Sequence, residues 1–231
     1  YKYEEGNLNR KLKENHLLYQ LSRRFDKEMF EEFLRIRKYR FNSFRYAYHY
    51  ESCIEQIEGT ASFVELYSLK QLSVELFEKA LFVMRERIVN PSNLLPIRVI
   101  SYDIGALLLY IMTENNISFE DSSSCTTFAE AIIGNVEEDK NIYEYNAKEL
   151  IDGFNTEAIK IIQKAKNKNA IVSDTLCDIL GVNTYDAVFC DNHIISKCFV
   201  IFGFDGNQRI EYGNFVIETN AYKKATKIYR I

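Results

Sequence analysis

Chain breakers are scarce. Two prolines and nine glycines among 231 residues are too few for a turn-rich β sandwich and favour long helices. Histidine is equally sparse: His16, His49 and His193 are the full set, and none is followed by Glu. A zinc-binding H-E-x-x-H pair is therefore absent from these residues. No apolar run approaches the ~20 residues that span a bilayer. The longest, residues 104–112, is too short, and no apolar signal-peptide core opens the sequence, so no membrane partner is expected. An excess of positive charge is also missing. Lys+Arg 29 against Asp+Glu 33 gives a net charge of −4, which argues against a strongly basic nucleic-acid binder and against an acidic disordered tail.

What is present is apolar enough to fold. Hydrophobic residues make up 47% and aromatic residues 14%, a globular composition. The length suits one large domain or two small ones. Five cysteines (Cys53, Cys125, Cys177, Cys190, Cys198) form an odd, scattered set and read as free thiols in a reducing compartment, hence a cytoplasmic expectation. The first residue is Tyr1 rather than Met, so further chain is expected upstream.

Residues 7–40 carry apolar side chains at helical intervals and predict one or two amphipathic helices. Arg35, Arg37, Arg40 and Arg45, interleaved with aromatics, follow Glu28, Glu31 and Glu32. An ion-paired face is expected there rather than a nucleic-acid surface. Residues 50–89 read as helix and stop at Asn90-Pro91. Residues 99–113 read as a buried helix, and residues 144–168 as another helix or pair. Thr126 or Thr127 would cap a helix from Phe128, after a Ser/Thr loop over residues 121–127. Asp174 would cap a short helix reaching Leu180, with Gly181 as its stop. Beyond it, β-branched and aromatic residues predict strands over 185–190, 194–204 and 209–219. Asp205-Gly206-Asn207 supplies a hairpin turn. The expected class is α+β: a mainly helical body, residues 1–182, with a small antiparallel β element, residues 183–231.

Residues 51–65, ESCIEQIEGTASFVE, are the most informative. On a helix, Glu51, Glu55, Glu58, Ser62 and Glu65 recur at spacings of 4, 3, 4 and 3 and form one acidic stripe. Such a stripe repels itself unless it is solvated, paired with the upstream arginines, or facing a cation. The opposite face carries Ile54, Ile57, Ala61 and Val64. Gly59 inside a helix costs about 1 kcal/mol against Ala, which points to close packing of another element beside Glu58.

The run Glu58-Gly59-Thr60-Ala61-Ser62-Phe63-Val64-Glu65 resembles the N-E-G-F-A-S-Y-V-E segment of gluzincin zinc metallopeptidases of the aminopeptidase N type. Further on, Ser101-Tyr102-Asp103-Ile104-Gly105-Ala106 is similar to the family's Y-x-K-G-A helix start, with Ile104 in place of the usual Lys. The resemblance covers about residues 50–112. It implies a helical zincin-like body, zinc as cofactor, a peptide substrate, and hydrolysis by metal-activated water. It also implies Glu58 as the third metal ligand and Tyr102 as the hydroxyl that donates to the oxyanion. Glu55 or Glu65 would steady the ligand or receive the substrate amine, Gly105 matches the family glycine, and His49 would line the cleft. The 44 residues between Glu58 and Tyr102 are compact for an aminopeptidase and suit a bacterial relative with a reduced helical domain.

The histidine pair and general-base Glu of that family have no match here. Either they lie on a missing N-terminal segment, which would then be a partner of these residues, or the chain is a non-catalytic helical interaction module on a degenerate peptidase scaffold. By itself the chain is expected to be inactive. Other constellations carry less. Cys190, His193 and Cys198 fit no standard zinc spacing. Cys53 and Cys125 have no sequence pattern that marks a nucleophile. Gly203 to Gly206 reads as a hairpin rather than a phosphate loop.

Overall fold

The computed structural model describes residues 2–118, 126–204 and 206–231. Cys125, Asp205 and most of the loop expected over 121–127 lie outside them. The chain divides into two compact units, Tyr1–Leu150 and Ile151–Ile231. Together they make an α+β protein, helical first and antiparallel β second.

The first unit is a helical bundle. Helices α1 (Glu5–Arg23) and α2 (Lys27–Ser43) take up the first amphipathic stretch. The break between them is made by Asp26, whose carboxylate accepts the Met29 N–H at 2.9 Å as an N-cap. Helix α3 (Arg45–Ile54) runs into a π-turn (Glu55–Gly59) and on into α4 (Thr60–Leu72). Ser73 then caps α5 (Val74–Val89). Helix α6 (Ile97–Glu114) is the buried one, with Ile100, Ile104, Leu107, Leu108 and Ile111 in the core. Leu8 and Leu18 of α1, Phe33 and Ile36 of α2 and Leu81 of α5 are also fully covered. The short α7 (Phe128–Ala131) is capped by Thr127 in a reciprocal capping box with Glu130.

The second unit has three layers. Helix α8 (Ala147–Lys168), whose first turn contains the unit boundary, turns Ala158, Ile162 and Ala165 inward at helical spacing. They pack on Cys190, Ile195, Val216 and Tyr229 of a five-stranded antiparallel sheet. Its strands, in the order β1-β8-β7-β4-β3, are β1 (Ile171–Ser173), β8 (Ala225–Arg230), β7 (Phe215–Thr219), β4 (His193–Ser196) and β3 (Val188–Cys190). The alternate residues Ile194, Ile217 and Ile228 point to the other face. There they meet Val200 and Phe202 from a three-stranded sheet of β2 (Asp178–Val182), β5 (Phe199–Phe204) and β6 (Asn207–Tyr212).

Several expectations change here. The helix predicted to end at Leu180 is strand β2, because Asp178–Val182 pairs with β5; a helix that short has little stability without packing of its own. Strands begin at Ile171, before the boundary expected at residue 182. The two long strands each turn a corner and change sheet. One does so between Ser196 and Phe199, where Cys198 has φ +72°, and the other at Gly213, φ +131°. The hairpin joins β5 to β6 as expected, with Gly206 at φ +78°. Among the described residues no helix is long and apolar enough to cross a membrane.

Candidate functional site

The acidic stripe is divided by the π-turn. Glu51 and Glu55, before and at its start, are buried in a six-charge network. Arg37 grips Glu55 with two hydrogen bonds, 2.9 and 2.7 Å. Arg40 donates to Glu14 at 2.8 Å, to Glu51 at 2.6 Å and to Asn7 at 2.8 Å. The Lys11 ammonium lies among three carboxylates: Glu51 at 2.9 Å, Glu55 at 3.5 Å and Glu14 at 3.6 Å. Three cations thus balance three anions, each side chain at most 1% exposed. The upstream arginines do pair with the stripe, through Arg37 and Arg40, while the expected pairing with Glu28, Glu31 and Glu32 is reduced to one surface contact. Arg35 reaches Glu31 only at 4.0 Å on the surface, and Arg45 stacks over Phe41.

After the turn the helix is rotated. Ile57 and Val64, on the face opposite the acids, are 70% and 57% exposed. Glu58 is half-buried at the surface. The wider π-turn brings Gly59 against α6 at Gly105. A Cβ on Gly59 would stand 2.7 Å from the Gly105 Cα, and one on Gly105 would stand 2.7 Å from the Glu55 carbonyl oxygen. The backbones touch, which explains both glycines. π-turns are rare and recur at functional sites.

That crossing brings Glu58 and Tyr102 together. The Tyr102 hydroxyl donates to the Glu58 carboxylate and receives a hydrogen bond from Arg98. Arg98 Nη2 also donates to Glu58 Oε1 at 3.0 Å, and its guanidinium lies 5.9 Å from the Tyr102 ring centre. Tyr50 of α3 hydrogen-bonds Arg98 as well. Burial pushes the Tyr102 hydroxyl above the usual tyrosine range. Arg98 pulls it down and the Glu58 charge pushes it further up. Tyr102 is therefore a neutral hydrogen-bond donor at physiological pH. Sequence reasoning missed Arg98; only its place one helical turn before Tyr102 hinted at it.

The other predicted residues lie elsewhere. Glu55 is committed to Arg37 and Lys11 inside the bundle. Glu65 is exposed on α4, two turns beyond Glu58. Gly105 supplies the backbone contact. His49 does not meet Glu58 through any polar contact; its Nδ1 is 2.8 Å from Glu130 and its Nε2 is 3.6 Å from the Cys53 sulfur. Among the described residues no group of three or more His, Cys, Asp or Glu side chains is arranged to hold a metal. Glu58 offers one carboxylate, already facing a guanidinium, so these residues do not by themselves fit a zinc ion. Comparisons with family models, with curated proteins and with solved structures return no match.

Proposed function

We propose that this chain carries the carboxylate-and-tyrosine half of a zincin-like metallopeptidase site of the gluzincin kind, the histidine ligands coming from residues outside it. The observation that supports this is the meeting of Glu58 and Tyr102. They are 44 residues apart in sequence and are brought into hydrogen-bond contact by the glycine crossing that the two resembling motifs share. In that reading Glu58 is a metal ligand and Tyr102 a donor to the developing oxyanion of a peptide substrate. No chemical step is assigned to the chain alone, because its residues do not complete a zinc site.

A second reading rests on Arg98. A guanidinium on Glu58 supplies the positive charge that a metal would otherwise bring, which suits a non-catalytic helical interaction module on a degenerate scaffold. One experiment separates the two. The product of the whole open reading frame is assayed for bound zinc and peptidase activity, with Glu58→Ala and Tyr102→Phe alongside. The peptidase reading expects stoichiometric zinc that is lost in Glu58→Ala. It also expects zinc retained in Tyr102→Phe, with activity lowered about 10²–10³-fold, as for loss of one oxyanion donor. Zinc undiminished in Glu58→Ala would sink the ligand assignment. No stoichiometric zinc in the unaltered protein favours the module.

A further inference from the structure

Helix α3 carries a second cluster that the Glu58 site does not use. His49 and Cys53, four residues apart, lie on one face, and the Cys53 sulfur is 3.6 Å from His49 Nε2. The other ring nitrogen, Nδ1, is 2.8 Å from Glu130 Oε1. Glu130 is itself fixed by the capping box. Its Oε2 accepts the Thr127 N–H at 3.2 Å, while Thr127 Oγ1 accepts the Glu130 N–H at 3.2 Å. Ser52 Oγ approaches the same carboxylate at 3.5 Å. An ionised carboxylate only accepts, so it favours the ring proton on Nδ1 and leaves Nε2 as the unprotonated nitrogen, 3.6 Å from the thiol sulfur. His49 is 55% exposed and Cys53 is partly exposed, so solvent reaches both.

We propose that Cys53 and His49 form a two-ligand clamp for a thiophilic divalent cation such as zinc, with Glu130 as the positioning residue. A tetrahedral ion with a sulfur bond of about 2.3 Å and a nitrogen bond of about 2.0 Å sets its two donors about 3.5 Å apart. The observed separation is 3.6 Å. A carboxylate on the far nitrogen is the arrangement that orients metal-binding imidazoles and raises their basicity. On binding, the Cys53 thiol gives its proton to solvent and the thiolate takes the metal. The remaining coordination positions are open to water or to a donor from another molecule, so the ion is exchangeable. The proposal does not rest on the peptidase reading.

The probe is cobalt(II), whose bond to a thiolate gives a near-ultraviolet charge-transfer band. The purified, reduced chain is expected to develop that band at one equivalent of cobalt and to lose it on zinc addition. Cys53→Ser removes the band with the helical circular dichroism unchanged. His49→Ala weakens cobalt affinity at least 10-fold, and Glu130→Gln about 10–100-fold. Glu58→Ala leaves the band intact, which keeps this result separate from the fate of the peptidase site. A chain with no band, or a band undiminished in Cys53→Ser or His49→Ala, overturns the clamp.

Discussion

Asp103 sits on α6 with its carboxylate buried, and Arg87, itself half exposed, donates to it at 2.8 Å. Burial outweighs the arginine and pushes the Asp103 pKa up to about 6, against about 3.9 in an unfolded chain. The folded state therefore holds the proton more tightly. Its stabilising contribution is full below about pH 4 and is lost as pH rises through 6. Asp103→Asn mimics the protonated form. It is expected to be more stable than the unaltered protein at pH 7.5 by about 1–3 kcal/mol, the difference closing towards pH 4. Urea unfolding at the two pH values measures this, and an Asn variant that is weaker at pH 7.5 contradicts it. The motif that drew attention to Tyr102 contains Asp103 without marking it, because burial is not written in a residue's neighbours along the chain.

The crossing of the π-turn with α6 is the element on which the candidate site depends. Gly59→Ala raises intrinsic helix propensity by about 1 kcal/mol, yet its Cβ would meet backbone that cannot swing aside. Net destabilisation of about 1–3 kcal/mol is expected in denaturant unfolding, with Tyr102 fluorescence or proton shifts reporting a disturbed contact to Glu58. The close approach itself was legible, since a glycine inside a strong helical pattern asks for a neighbour. The turn was not. Its extra residue leaves no trace in composition, and a reading at 3.6 residues per turn carries Ile54, Ile57, Ala61 and Val64 along one face. In the protein Ile54 is buried and the other three face outward. The strands show the same division. β-branched residues announced residues 194–204 and 209–219, whereas the corner at Cys198 uses a positive φ in a residue that gives no warning of it.

At the scale of the molecule, the helical first part and β second part follow from where breakers and β-branched residues fall. The pairing between distant elements does not. Lys11, Glu14, Arg37, Arg40, Glu51 and Glu55 read individually as surface residues on amphipathic helices. Only the packing of α1, α2, α3 and the π-turn turns them inward. The Lys11 ammonium among three carboxylates makes the bundle its own counterion. Lys11→Met leaves those anions one positive charge short and is expected to cost about 3–5 kcal/mol. Dissolved salt has no access to charges this deeply covered, so that cost should be the same in about 0.05 M and 1 M sodium chloride, where a surface pair's contribution fades. The first unit thus carries its electrostatic balance inside, and the ionic strength of its surroundings has little hold on whether the helices bearing Glu58 stay together.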